Sequence, residues 1–376
     1  MLARGSRFSG MKWPVILLSV FVTVACAAPL LDEQRAGGAP RDGSRYTNTN
    51  GSPDMEIGAA IQASLTTPSV DKSPSTPIPL RALSKPALLQ QTDPVLYRLG
   101  HSTILIKLGD HFVLTDPVFS ERASPLQWVG PRRFHPAPID IGELPHLSAV
   151  VISHDHYDHL DSGSIVQLAE RTDYFVTPLG VGRHLRAWGV AEESIIELDW
   201  WEEVEIEGLE LAATPAQHFS GRGLLDRNST LWASWVIRGD GVNLFFSGDT
   251  GYFDGFREIG ERYGPFDVTM IENGAYNLAW RDVHMLPQES VQAHIDLRGG
   301  AMLPIHNSTF DLSLHSWYEP LEKVSALTAQ QGIELLTPVI GAPVYIRDPQ
   351  PTFAWWREEV PEQRLAALRA EACGVC

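Results

Sequence analysis

The sequence predicts an α/β protein built on mixed sheets. Three observations lead there. Apolar strand-like runs alternate with helical patterns through most of the chain. Antiparallel hairpins are mixed in, over Gly109-Asp110, Glu207-Gly208 and Gly239-Asp240-Gly241. Histidine or aspartate recurs just past one strand end after another, at 154/156/158/159, 218, 249 and 306. Strand ends on one sheet edge converge in space, which is where α/β sheets place ligands.

The elements follow in order. Residues 28–92 are rich in Pro, Ser, Thr, Gly and Asn, which reads as a linker, disordered to about residue 75 with an ordered lead-in after it. The main domain spans 93–350. Val95–Leu99, Thr103–Leu108 and His111–Leu114 read as strands, and Asp116-Pro117 ends the third. A Pro-rich connection fills 119–147, and a loop of that length is often functional. Ser148–Ile152 is a buried strand, and Asp161 and Ser162 announce a helix over Ser164–Arg171. Tyr174–Thr177 is a strand and Val181–Trp188 a helix. Ser194–Leu198, Val204–Ile206 and Leu209–Ala213 are short strands. Trp232–Arg238 and Val242–Phe246 pair as a hairpin. Gly255–Tyr263, Pro287–Asp296 and Glu319–Gln330 are helices, separated by strands at Val268–Ile271 and Ala301–Ile305. Ile333–Val344 supplies the last strands. Within 351–376, Pro361–Glu371 reads as a terminal amphipathic helix before a short tail.

Composition bounds the function. The chain has 376 residues, 44% hydrophobic and 20% charged, which is ordinary for a globular protein. Its formal net charge is −17, which repels phosphate backbones and argues against nucleic acid as a partner. Residues 1–27 read as a signal peptide: Arg4, Arg7 and Lys12 precede an apolar run at 15–22 and the small residues around Ala25-Cys26-Ala27. Two processing routes fit, cleavage after Ala27 or lipidation of Cys26 at a lipobox-like site. The chain is therefore expected to be exported, in a bacterial periplasm or held at the envelope membrane through a lipidated Cys26. Met11 is an alternative start. Cys26, Cys373 and Cys376 give no disulfide framework. A homodimer is compatible with this reading.

The chemistry centres on Ser153-His154-Asp155-His156-Tyr157-Asp158-His159. Imidazole and carboxylate suit zinc, iron and manganese. In extended backbone, His154, His156 and Asp158 share one face, and His159 needs a turn to join them or face a second ion. One ion needs three or four ligands. This stretch offers up to four, with more downstream, which favours two metals.

The ordered set His154-x-His156-x-Asp158-His159, His218 in Thr-Pro-Ala-Gln-His, Gly248-Asp249-Thr250-Gly251 and Ile305-His306 resembles the metallo-β-lactamase superfamily. Gly100-His101-Ser102-Thr103, Gly130-Pro131-Arg132-Arg133, Gly264-Pro265-Phe266-Asp267 and Gly274-Ala275-Tyr276 narrow the resemblance to its N-acylphosphatidylethanolamine-hydrolysing phospholipase D-like subfamily, over about residues 94–346. The resemblance implies a four-layer αβ/βα sandwich, two mixed β-sheets face to face with helices outside. It implies two zinc ions, iron and manganese remaining chemically acceptable. His154, His156 and His218 would hold the first, Asp158, His159 and His306 the second, and Asp249 would bridge. It places His284 beside the reacting phosphate, and Asp158 could orient the nucleophile as well as bind metal. His101 and Asp116 are read as supporting residues behind the ligands. The implied activity is phosphodiester hydrolysis of a lipid-like or small-molecule substrate by metal-activated water. A lactonase or β-lactam-type hydrolase on the same centre and a non-catalytic metal-binding envelope protein are the alternatives. Where the family has Trp-Gly after the last ligand, this chain has Asn307-Ser308.

Overall fold

A computed structural model describes residues 38–51 and 70–374. The signal-like segment, Cys26 and Cys376 lie outside the described residues. Order begins earlier than the linker composition suggests. Arg41–Asp42 (β1) and Arg45–Tyr46 (β2) pair as a small hairpin. Tyr46 is buried and its N–H donates to the Asn228 carbonyl, while Asn48 is buried beside His218. The expectation of disorder up to residue 75 fails over 38–51 because these few side chains find partners in the body of the fold.

After a short helix, Lys85–Leu89 (α1), six strands lay down most of one sheet: Val95–Gly100 (β3), Thr103–Leu108 (β4), His111–Thr115 (β5), Leu147–Val151 (β6), Thr172–Pro178 (β7) and Ile195–Leu198 (β8). Helices Ser162–Leu168 (α2) and Gly182–Ala187 (α3) link the later ones. The second sheet follows: Glu203–Ile206 (β9), Leu209–Thr214 (β10), Ser234–Gly239 (β11), Val242–Phe246 (β12), Phe266–Glu272 (β13), Gly299–Ile305 (β14) and Glu334–Leu335 (β15). Its helices are Gly255–Tyr263 (α4), Pro287–Asp296 (α5) and Glu319–Gln331 (α6). Pro343–Tyr345 (β16) then returns to the first sheet, and Glu362–Cys373 (α7) closes the described chain.

Among the described residues each of these two sheets has seven strands, ordered β16-β3-β4-β5-β6-β7-β8 and β15-β14-β13-β12-β11-β10-β9. They share one plan. In the first, pairing is antiparallel from β16 to β5 and parallel from β5 to β8. In the second it is antiparallel from β9 to β12 and parallel from β12 to β15. Two reversals separate β3 from β5 and β10 from β12. Hence β3, β5 and β6 run one way in the first sheet, and β10, β12, β13 and β14 run one way in the second.

Alternation explains the layers. In β4, Ile104 and Ile106 face Leu209, Leu211, Trp235 and Ile237 of the opposite sheet, in a core that also buries Trp200 and Trp232. Leu105 and its neighbours face outward onto Ile165, Leu168 and Leu185 of α2 and α3. On the far side, Val236, Phe245 and Met302 meet Phe256, Ile259, Val291 and Val324 of α4–α6. This is the four-layer sandwich expected, with helices outside both sheets. Trp355, Trp356 and Leu365 pack with Trp317 and Leu321, so the carboxy-terminal segment is pinned to α6.

The predicted helix at 164–171 starts two residues earlier. Asp161 accepts from the N–H groups of Gly163 and Ser164 and caps α2, and residues 169–171 tighten into a 3₁₀ turn. The Asp249 turn needs Gly248, which has φ +56°, and a Cβ there would lie 2.5 Å from the Ser153 Cβ. Only glycine lets the Asp249 turn close onto the His154 loop.

Candidate metal centre

The predicted ligands all follow strand ends that point to one edge. His154, His156, Asp158 and His159 come after β6, His218 after β10, Asp249 after β12 and His306 after β14. They meet in two clusters, His154/His156/His218/Asp249 and His101/Asp158/His159/His306, and within each the ligand-type atoms lie within 4.8 Å of one another. A third group of the same kind joins Asp249 and His306 to His284.

Asp249 Oδ2 is the hub. It lies 3.1 Å from His159 Nε2 and from His306 Nε2, and 3.9 Å from His154 Nε2 and from His218 Nε2. Among the described residues its Oδ1 has no hydrogen-bond partner, and neither has His159 Nε2, although both are buried. In the first cluster, His156 Nδ1 lies 2.8 Å from His154 Nε2 and 3.2 Å from His218 Nε2. A tetrahedral ion about 2.0–2.1 Å from each nitrogen sets such pairs about 3.3 Å apart. Orphaned buried atoms at a common point, nitrogens crowded at near-ligand spacing and a histidine-plus-carboxylate donor set all fit a divalent metal.

Each ring is held from behind. His218 Nδ1 donates to the Val283 carbonyl at 3.0 Å, and His154 Nδ1 lies 2.9 Å from Ser153 Oγ. Asp116, fully buried, accepts from Ser153 N at 2.7 Å and Ser153 Oγ at 2.6 Å, and its Oδ2 is 2.6 Å from His159 Nδ1. His101 Nε2 is 3.1 Å from Asp158 Oδ2, so this ring touches a predicted ligand and stands within the second cluster. Asp155 turns away, and its carboxylate takes the Gly221 N–H and the Thr230 hydroxyl, pinning the 220–230 loop.

The clusters differ in charge. Burial and the neighbouring rings of His159, His156 and His218 push His154 well below the ordinary histidine range. Burial likewise takes His218 well below it, overriding Asp249. Burial also opposes charge on His306 and His159. There, however, Asp249 and Asp158 prevail, holding His306 up at about 10 and His159 well above its usual value. Burial pushes the Asp158 and Asp249 carboxyls up, but the adjacent His159 and its neighbours outweigh it and hold both well below the carboxylate range.

Three residues at the site were not picked out from sequence. Asn48 brackets His218, its Oδ1 accepting from His218 N at 3.0 Å and its Nδ2 donating to His218 O at 2.9 Å. It lies in linker composition, and no sequence signal marks it. Arg98 is buried in β3 and donates from Nη2 to the Asn307 carbonyl at 2.5 Å and to Asn307 Oδ1 at 2.9 Å. A charge inside an apolar strand was its signal. The clamp grips a turn in which His306 and Ser308 have φ of 63° and 58°. Asn307 in turn donates to the Ile305 carbonyl at 2.9 Å, so the Asn307-Ser308 departure from the family pattern has its own bonded support. Glu272, the third, ends β13 and meets His284. It is a strand-end acid like Asp249 and was open to the same reasoning.

Comparison with known proteins gives the family. The family described as "Beta-lactamase superfamily domain" matches residues 111–307. An uncharacterized protein of Mycobacterium tuberculosis (strain ATCC 25618 / H37Rv) is 44% identical over 299 residues, 76% of this chain and 77% of that one. The N-acyl-phosphatidylethanolamine-hydrolyzing phospholipase D 1 of Caenorhabditis elegans is 37% identical over 243 residues, 61% of this chain and 68% of the relative. Among solved structures, a metallo hydrolase from Ignicoccus hospitalis matches with a TM-score of 0.52 at 22% identity, over 67% of this chain and 98% of that one, which shows the shared fold. Fold and site together define a metal-dependent hydrolase. The chain belongs to the metallo-β-lactamase superfamily, in the subfamily that includes the N-acylphosphatidylethanolamine-hydrolysing phospholipases D.

Proposed function

We propose that the protein hydrolyses a phosphodiester bond in a lipid-like substrate, using two zinc ions. His154, His156 and His218 would hold one ion, Asp158, His159 and His306 the other, and Asp249 both. The observation that carries this reading is the position of Asp249 Oδ2, within 3.9 Å of four histidine nitrogens drawn from both clusters. The lipid-like substrate is supported by the named activity of the worm relative. Bound metal supplies Lewis acidity and an activated water at neutral pH.

The side chains do the rest. Asp158 is 16% exposed, against 2% or less for His306 and Asp249, so its carboxylate lies where it can orient the attacking water. His284 stacks 5.3 Å from the His306 ring and is 15% exposed, so it would face the substrate's phosphodiester on its leaving-group side. The signal-like residues 1–27 add an envelope location to the proposal, which fractionation of producing cells checks.

Purified protein should contain two equivalents of zinc and turn over bis-p-nitrophenyl phosphate and a micellar N-acylphosphatidylethanolamine. Turnover of a lactone panel with no phosphodiester turnover overturns the reading, and so does a single equivalent of metal at saturation.

A further inference from the structure

We propose that Glu272 is a positioning residue that fixes the His284 ring for contact with the leaving oxygen of the substrate. This rests on the phosphodiester reading above. β13 lies between β12 and β14 and is hydrogen-bonded to both, so its terminal Glu272 emerges between the strand that carries Asp249 and the strand that carries His306. The side chain is fully buried. Oε1 lies 2.7 Å from His284 Nδ1, and Oε2 accepts the Met285 N–H at 3.2 Å. Both contacts go to the 284–285 segment.

Burying a carboxylate is costly, and an apolar side chain of similar size would serve stability as well or better. The backbone of Glu272 is anchored independently of its carboxylate. Its N–H donates to Ser247 Oγ at 2.8 Å, and its carbonyl accepts from Ser290 Oγ at 2.8 Å. The carboxylate is therefore not needed to hold its own strand; it holds the 284–285 segment, through the His284 ring and the Met285 N–H. With Nδ1 engaged by Glu272, Nε2 is the nitrogen left for another partner. His284 is 15% exposed, whereas His218, His306 and Asp249 beside it are 2% or less. The ring thus opens toward solvent, where substrate enters, and flanks the ligands from outside.

In the reaction, water adds to phosphorus and the bond from phosphorus to the leaving oxygen breaks. That oxygen takes the Nε2 proton of His284, while Nδ1–H stays hydrogen-bonded to Glu272, which keeps the ring in place. The proton lost by the attacking water restores Nε2, so the net change is water in and alcohol out. An alkoxide leaving group needs that proton, and p-nitrophenolate barely does.

The test compares Glu272→Gln, His284→Ala and the double variant on micellar N-acylphosphatidylethanolamine and on bis-p-nitrophenyl phosphate. Each single variant is expected to lower kcat on the lipid about 100-fold with KM unchanged, and on the nitrophenyl ester by less than about 3-fold. The double variant should fall no further than the singles. Zinc content should stay at the wild-type level. Equal losses on both esters, or zinc lost in His284→Ala, overturn the proposal, the latter making His284 a ligand. An activity-free readout separates it from the function it rests on. In ¹⁵N NMR, Glu272→Gln should shift the His284 Nδ1 resonance, and an unchanged resonance overturns the proposal even if the wild type cleaves neither ester.

Discussion

The two clusters use the same residue types at similar depth, yet they are built differently. The His154/His156/His218 cluster is nitrogen-rich, and its rings lean on neutral groups: Ser153 Oγ, the Val283 carbonyl and, through the backbone, Asn48. The Asp158/His159/His306 cluster is carboxylate-rich, and Asp116 stands directly behind His159. Burial acts on both. In the first it wins and leaves the rings neutral. In the second, close carboxylates outweigh it and hold protons on His159 and His306. Depth alone therefore does not decide the charge of a buried histidine; what stands behind and beside it does.

Asp249 Oδ2 approaches histidines of both clusters, and if it bridges two ions as proposed, removing it should erase the difference. Asp249→Ala is expected to cost at least about 10³-fold in kcat/KM and to weaken zinc at both clusters, read by steady-state kinetics and metal analysis. Full zinc content in that variant would contradict the shared role. Asp116→Asn should act unequally, because Asp116 touches His159 directly but His154 only through Ser153 Oγ. It keeps shape but loses charge behind His159, so activity and the affinity for one zinc equivalent should fall about 10–100-fold, while the other equivalent loses less affinity in a chelator competition.

Proton release sharpens the same contrast. His306 is held at about 10 in the metal-free protein and His159 is raised as well, so both rings carry protons at neutral pH. Zinc entering that cluster must displace about two protons, whereas the neutral rings of the other cluster release about none. The sign is fixed: as pH falls, occupancy of the carboxylate-rich cluster is lost first. Calorimetric titrations in buffers of different ionisation enthalpy measure this directly. The smallest effect is expected at Asn48→Ala. It removes hydrogen bonds to both backbone groups of His218 and one to the Trp232 indole, costing about 1–3 kcal/mol. Thermal denaturation should show a Tm lower by a few degrees, with activity reduced only several-fold.

The sequence by itself determined the alternation of strands and helices, the strand ends that carry His154 through His159, His218, Asp249 and His306, and the metal-binding character of the site. These are local: period-two apolar runs, turn glycines and ligand residues next to them are all visible within a few positions. Only the tertiary structure decided which residues stand behind the ligands. Asn48 lies 170 positions from His218, and Arg98 lies 209 from Asn307. Glu272 sits between Asp249 and His306 because β13 was ordered between their strands. Asp155 belongs to the same motif as its neighbours, yet its bonds to the 220–230 loop turn its buried carboxylate away from the two clusters. Hydrogen bonds across such separations depend on the order and direction of strands in two facing sheets. No local pattern encodes that order, because it is set by which apolar faces bury each other.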